Sequence, residues 1–167
     1  MTPEIRPVTE SDWPAVWEII QQVIEDGQTF PYDPAMTAAT AHDMWMERPP
    51  GLTVVAVTDG RVVGTAKMGA NRPGPGAHVS TASFMVAATA RGHGVGTALC
   101  RFAVDWAQQR GYASMQFNAV VETNEAAVSL YEREGFRVIG TVPRSFDHPV
   151  HGRVGLHVMY QEFDTPA

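Results

Sequence analysis

The apolar positions in the first part of the chain follow β spacing briefly and then helical spacing. This spacing predicts a first strand over Glu4 to Val8. A helix then continues to about Asp26, because its apolar residues recur every three or four positions, at Trp13, Val16, Trp17, Ile20, Val23 and Ile24. One glycine and two prolines interrupt regular structure from Gly27 to Pro34. A second, shorter helix is predicted over Thr37 to Met46.

Two β-rich runs follow, Leu52 to Thr58 and Arg61 to Met68. The dipeptide Asp59-Gly60 joins them and suits a tight turn, because both residue types tolerate positive φ. We therefore expect an antiparallel hairpin, followed by an exposed loop from Asn71 to Ala77.

The rest of the chain alternates strands and helices. The predicted elements are a strand at His78–Val86, a helix at Gly94–Arg110, a strand at Met115–Val121, a helix from Asn124 to Glu134, a strand at Phe136–Val142, a long loop from Pro143 to Gly155 and a last strand at Leu156–Glu162. Because strand–helix–strand crossovers are right-handed, the strands ending at Val86 and Val121 should be parallel neighbours. The predicted fold class is α/β, a mixed sheet with helices on both faces.

Length and composition indicate one domain over residues 1–167. The formal net charge of −6 and the lack of a Lys/Arg cluster in the sequence argue against a nucleic acid partner, which needs a basic surface. No apolar run approaches the roughly 18 residues that cross a membrane, and the first residues do not resemble a signal peptide. We therefore expect a cytoplasmic protein with no membrane partner. The single Cys100 is expected to be a buried apolar side chain.

The most informative segment runs from Phe84 to Leu99 and carries glycines at three alternate positions, Gly92, Gly94 and Gly96. These glycines strip side chains from the turn where a helix begins, which exposes backbone N–H groups that have no helical partner. Together with the positive end of the helix dipole, such donors form a site for a phosphate or pyrophosphate. A turn used only for tight packing is the alternative.

Two common nucleotide motifs do not fit this segment. Its spacing lacks the third glycine of the dinucleotide fingerprint, and no Lys-Ser or Lys-Thr follows the glycines as a triphosphate-binding loop requires. The remaining candidate is a cofactor with a pyrophosphate and a long arm that lies along a strand.

The segment from Arg91 to Gly96 resembles the cofactor motif of the GNAT acetyltransferases, Gln/Arg-x-x-Gly-x-Gly/Ala. The resemblance covers Thr53 to Gln161 and includes Leu130-Tyr131-Glu132-Arg133-Glu134-Gly135-Phe136. It implies the GNAT fold, a mixed and mostly antiparallel sheet with a splayed parallel strand pair. It also implies acetyl-CoA as the co-substrate, bound by Phe84, Met85, Val86, Arg91, Gly92, His93, Gly94, Val95, Gly96, Thr97, Asn124 and Tyr131.

Acetyl transfer to an amine requires few catalytic side chains. Backbone N–H groups near Val86 are expected to stabilise the developing oxyanion. The resemblance assigns protonation of the leaving sulfur to Tyr131, for which core packing is the alternative role. Glu122, at a strand end, is the candidate general base, with an ordered water as the alternative. We expect no metal, because the loop histidines lack a carboxylate or thiolate pattern: His148, His151 and His157.

A narrower similarity links the chain to enzymes that acetylate azetidine-2-carboxylate and related proline analogues. Asn118 corresponds to an asparagine that those enzymes use for substrate, whereas Thr81 stands where they carry a second asparagine. Phe30 and Tyr32, in the loop between the first two helices, are candidate walls of the acceptor pocket.

The favoured function is N-acetylation of a small-molecule amine, such as an amino acid or cyclic imino acid. Protein or peptide acetylation stays open, because an acidic surface attracts basic peptides. A non-catalytic acyl-CoA sensor is a third reading, although Tyr131 and the segment at Asn124 favour catalysis. Homodimers are common in the family that the chain resembles, so a homodimer is a further expectation.

Overall fold

The computed structural model describes residues 2–164, which form seven strands and four α-helices. In chain order they are β1 (Glu4–Pro7), α1 (Trp13–Asp26), α2 (Ala38–Trp45), β2 (Leu52–Thr58), β3 (Arg61–Ala70), β4 (Val79–Val86), α3 (Val95–Gln109), β5 (Ser114–Val121), α4 (Glu125–Arg133), β6 (Arg137–His148) and β7 (Gly152–Glu162). None of the helices in this part of the chain is both long and apolar enough to span a membrane.

The strands form one mixed sheet in the order β1-β2-β3-β4-β5-β7-β6. Neighbours pair antiparallel except β4 and β5, which are parallel and are connected through α3. The predicted fold class, with a mostly antiparallel sheet and one parallel pair, is therefore confirmed. The hairpin is confirmed as well, since Asp59 and Gly60 both adopt positive φ, of 50° and 74°, between β2 and β3.

Two apolar layers hold the helices to opposite faces of the sheet. On one face, Ile20 of α1 and Trp45 of α2 pack with Met85 of β4. On the other face, Leu99 of α3 packs with Phe84 of β4, the residue next to Met85. Successive side chains of a strand point to opposite faces, so β4 supplies apolar residues to both layers. This strand is thus buried at the centre of the molecule, where it borders the site.

The segment predicted as a long loop after Val142 is mostly strand. β6 continues to His148 and β7 begins at Gly152, so only a short turn separates them. Pro143 is tolerated because β6 lies at the edge of the sheet, where a missing N–H removes no central ladder bond. The register shifts between Val142 and Phe146, and Arg144 takes a positive φ of 53° within this bulge. The expected loop was therefore wrong in this segment.

Candidate active site

The parallel strands β4 and β5 pair only at their first residues and then separate. They are in register only at Val79 with Ser114 and at Ser80 with Met115, although β4 continues to Val86 and β5 to Val121. The divergence opens a cleft of about 830 Å³ through the centre of the sheet. Residues from β4, β5, α3, α4 and the α1–α2 loop line this cleft.

The alternation of β4 leaves backbone hydrogen-bonding groups facing the cleft. The Val79 carbonyl accepts from the Asn71 N–H at 2.8 Å, and the Ala87 N–H donates to the Val63 carbonyl at 2.9 Å. In this antiparallel register, every second residue of β4 therefore bonds to β3. The residues between them, Phe84 and Val86, direct their N–H and C=O groups toward β5. Beyond Ser80, no strand in the described part of the chain pairs with that side of β4.

The glycine turn after β4 presents a second set of unpaired donors. Gly92 and Gly94 have positive φ of 77° and 81°, which glycine adopts without strain. The first bond within α3 is from the Ala98 N–H to the Gly94 carbonyl, at 3.0 Å. The N–H groups from Val95 to Thr97 therefore have no partner within the helix, and these residues line the cleft.

The shape of this turn fits a phosphate group. A Cβ atom added at Gly92 or Gly94 would meet nothing within 4 Å, so there is open space above the backbone donors. A Cβ at Gly96 would lie 3.2 Å from Leu130 and 3.9 Å from Val86, where a side chain would narrow the cleft. Arg91 adds positive charge beside the turn. Its guanidinium lies 3.4 Å from the carboxylate of Asp26, the last residue of α1.

Tyr131 lies on α4 and packs within a group of aromatic rings. Its ring centroid is 4.6 Å from that of Phe117, 6.0 Å from Phe84 and 6.2 Å from Phe136. Burial raises the pKa of Tyr131 well above its ordinary value. The phenol therefore keeps its proton over the usual range of pH and can serve as a donor to groups in the cleft, which it lines.

The opposite end of the cleft is formed by the α1–α2 loop, β4 and β5; we call it the acceptor end, and the end at the glycine turn the cofactor end. Phe30 and Tyr32 stand 5.2 Å apart between ring centroids and both line the cleft. Burial raises the pKa of Tyr32 to about 12, partly opposed by a hydrogen bond with Ser83. Thr81 and Ser83 also line this end, two residues apart on one face of β4.

Asn118 is held at the acceptor end by a chain of side-chain amides. The Gln116 Nε2 donates to the Asn118 Oδ1 at 2.9 Å, and the Asn118 Nδ2 donates to the Asn71 Oδ1 at 2.7 Å. A register shift between Phe117 and Val120 forms a bulge in β5 at this point. The amide of Asn118 is thus oriented by two neighbours and retains one donor and one acceptor position for a ligand.

Two of the predicted site residues, Glu122 and His93, do not line the cleft. The Glu122 carboxylate accepts a hydrogen bond from the Gly155 N–H at 2.6 Å, which ties it to β7. His93 Nδ1 donates to the Arg91 carbonyl at 2.9 Å. The Asn124 side chain caps α4 by accepting from the Ala127 N–H at 3.3 Å, and this asparagine does line the cleft. The structure brings the other predicted residues together around the opening.

Several lining residues were not predicted from the sequence. Ser83 lies two positions after Thr81, so strand alternation was a signal that could have identified it. Leu130 and Ala127 share a face of α4 with Tyr131, which helical spacing also indicates. Asn71 does not line the cleft but orients Asn118, and only the fold brings its loop to that residue.

Two of the histidines considered as metal ligands, His148 and His157, lie in strands and have structural partners. His148 Nδ1 accepts from the N–H groups of Val150 and His151, each at 3.1 Å, and His157 Nδ1 lies 2.7 Å from the Thr141 hydroxyl. Within residues 2–164 no group of three or more His, Cys, Asp or Glu side chains could hold a metal ion.

Solved structures resemble this chain over nearly all of its length. A GCN5-related N-acetyltransferase from Kribbella flavida is 52% identical, with 97% of this chain and 98% of that one covered and a TM-score of 0.95. A phosphinothricin acetyltransferase from Sinorhizobium meliloti, solved in complex with AcCoA, is 21% identical, with 100% and 94% covered and a TM-score of 0.88. The second likeness shows a shared fold.

Curated relatives match over shorter parts. The N-acetyltransferase aca1 of Schizosaccharomyces pombe is 28% identical over 138 residues, which are 74% of this chain and 66% of that protein. Protein SPT10 of Saccharomyces cerevisiae is 36% identical over 95 residues, 52% of this chain but only 15% of that protein. A model of the acetyltransferase (GNAT) family matches residues 13–136. With its splayed strands and glycine turn, the chain therefore belongs to the acetyltransferase (GNAT) family.

Proposed function

We propose that the chain transfers an acetyl group from acetyl-CoA to the amine of a small molecule, with an amino acid or cyclic imino acid as the acceptor. The observation that carries the proposal is the opening between β4 and β5, where unpaired backbone donors adjoin the glycine turn on one side and an uncharged pocket on the other. The acceptor attacks directly while both substrates are bound.

The residues of the cofactor end fit the diphosphate and arm of acetyl-CoA. The N–H groups from Val95 to Thr97 and the Arg91 guanidinium suit the phosphates. The backbone groups of Phe84 and Val86 suit an amide-containing arm that lies beside β4. When bound, acetyl-CoA supplies an activated thioester.

Two groups of this chain serve the transfer itself. The Val86 N–H, which lacks a strand partner, donates to a carbonyl oxygen that gains negative charge in the transition state. Tyr131 holds a proton at its hydroxyl because burial raises its pKa, and it donates that proton to the departing sulfur. Both roles depend on fixed positions, which the strand and the aromatic packing of Tyr131 supply.

The acceptor end suits a small polar molecule better than a peptide. Phe30 and Tyr32 cover it from the α1–α2 loop, and the Asn118 amide offers one donor and one acceptor. The narrower similarity to proline-analogue acetyltransferases supports the same acceptor class.

Thiol release from acetyl-CoA tests this proposal against its alternatives. A panel of amino acids, imino acids, alkylamines and short peptides separates small-molecule from peptide acetylation in one assay. We expect at least one free amino or imino acid to exceed every peptide in kcat/KM. Faster reaction with peptides would favour protein acetylation, and CoA binding without thiol release would favour a sensor.

A further inference from the structure

Four ionisable side chains line the cleft in the described part of the chain, and each holds its proton near neutral pH. They are two arginines, Arg91 and Arg133, and two tyrosines, Tyr32 and Tyr131. Arginine stays protonated in proteins. Burial raises the pKa of both tyrosines, that of Tyr32 to about 12. None of the four can therefore accept a proton from an ammonium group at neutral pH.

Three carboxylates that lie within two positions of lining residues have partners in the structure. Glu122 accepts the Gly155 N–H at 2.6 Å. Asp26 lies 3.4 Å from the Arg91 guanidinium. Glu134 accepts from the Arg101 Nε at 2.9 Å. None of these three partners lies at the acceptor end.

The acceptor end itself offers neutral polar groups. β4 contributes Thr81 and Ser83, β5 contributes Asn118, and the α1–α2 loop contributes Gln28 and Tyr32. An ammonium ion that enters here loses water without gaining an ionic partner, which is costly. A neutral amine loses less on desolvation and can both donate to and accept from these amides and hydroxyls.

As an inference that rests on the proposed function, we propose that the acceptor binds in this cleft as a neutral amine, so that of two acceptors that fit equally well the less basic one is favoured. At pH 7 an α-amine beside an amide bond, with a pKa of about 7.7–8.0, is roughly 10–20% neutral, whereas an alkylamine with a pKa of about 10.4 is about 0.04% neutral. At equal total concentration, the neutral form of the less basic amine is therefore a few hundredfold more abundant than that of the alkylamine.

The protons balance without a base in the cleft. The acceptor nitrogen forms a bond to the acetyl carbon as the carbon–sulfur bond breaks. Tyr131 gives its hydroxyl proton to the departing sulfur, and the proton that nitrogen loses restores the Tyr131 hydroxyl. No additional ionisable side chain is required.

Proton linkage in amine binding tests the proposal without any turnover. L-alaninamide and n-propylamine are titrated into the full chain at pH 9, in two buffers of different ionisation enthalpy. Propylamine is then about 96% protonated and alaninamide about 5–9%. Neutral binding predicts release of about one proton with propylamine and almost none with alaninamide. Binding as a cation would instead give no release with propylamine and uptake of about one proton with alaninamide, which would overturn the proposal.

A pair of substitutions at one position sharpens the result. Asn118→Asp places a carboxylate at the acceptor end and gives an ammonium ion a partner, so proton release with propylamine should fall toward zero. Asn118→Ala removes the same amide without adding charge, so whatever propylamine still binds should release its proton as in the wild type. A wild-type chain that already behaves like Asn118→Asp would contradict the proposal.

Kinetics separate this inference from the proposed function. The plot of kcat/KM against pH should break at about 7.7–8.0 with alaninamide and at about 10.4 with propylamine, following each acceptor. Thiol release with one break shared by both amines would refute neutral-amine selection and leave acetyl transfer intact. If no amine gives thiol release, the proposed function fails, and the calorimetric result alone decides how the cleft binds amines.

Discussion

Replacing Tyr131 with phenylalanine removes one oxygen from the cleft and leaves the aromatic ring in place. The ring keeps its neighbours, since Phe117, Phe84 and Phe136 lie 4.6 Å, 6.0 Å and 6.2 Å away between centroids. The free energy of unfolding should therefore change by no more than about 1 kcal/mol. What the variant loses is a hydroxyl whose raised pKa keeps it protonated.

The expected kinetic effect is much larger than the structural one. A positioned proton donor accelerates a reaction by roughly a hundredfold or more, and water can replace part of that effect. We expect kcat to fall about ten- to a thousandfold, equivalent to about 1.4–4 kcal/mol in the barrier. The affinity for acetyl-CoA should be nearly unchanged, because the glycine turn and β4 remain intact.

Steady-state thiol release across pH, with calorimetry for CoA binding, provides the assay. Tyr112→Phe is the matched control, because Tyr112 also packs on an aromatic ring, Trp106 at 5.5 Å, but lies outside the cleft lining. The control should retain wild-type kcat. Wild-type turnover in Tyr131→Phe at every pH would refute proton donation and assign Tyr131 to packing, and an equal loss in both variants would indicate a structural effect.

Three further predictions concern the two ends of the cleft and the start of the chain. Gly94→Asp, which puts a side chain at φ 81° and a carboxylate at the phosphate position, should abolish calorimetric CoA binding in a protein with a native circular dichroism spectrum. Asn118→Ala should lower kcat/KM for the acceptor. The loss should correspond to roughly 1–3 kcal/mol of transition-state stabilisation, with CoA binding retained. The Arg6 guanidinium, followed by the Thr9 N–H and hydroxyl, holds the pKa of Asp12 well below its usual range, so the stabilisation is present above about pH 4 and is lost as pH falls. The free energy of unfolding of Asp12→Asn should thus be about 1–2 kcal/mol lower than that of the wild type at pH 7, and the difference should be smaller at pH 3. Urea titration at both pH values measures this, and an equal loss at the two would contradict the ion-pair explanation.

Elements governed by local pattern were predictable from the sequence. The apolar stripe of α1, the Asp59-Gly60 turn and the crossover through α3 each depend on residues close together in the chain, and the structure has them. The glycine turn belongs to the same class, because positive φ at Gly92 and Gly94 is a property of single residues. Single-domain organisation and a homodimer stay predictions.

Features that depend on distant partners were not predictable. The bond between Glu122 and Gly155 joins residues 33 positions apart, so the sequence could not show that this carboxylate faces β7. The link between Asn118 and Asn71 spans 47 positions and depends on the β5 bulge. Pro143 suggested a loop because its tolerance in β6 depends on an edge position that only the assembled sheet defines.

The most direct test of the central claim is amine-dependent thiol release by the wild-type chain and by Gly96→Glu, with the acetylated amine identified by mass spectrometry. The wild type should release one thiol for each acetylated α-amine formed. The folded variant should release almost none, because its side chain would occupy the space between Leu130 and Val86 that the cofactor end requires. Equal rates in the two proteins, or thiol release without an acetylated amine, would contradict the assignment of this cleft to acetyl transfer.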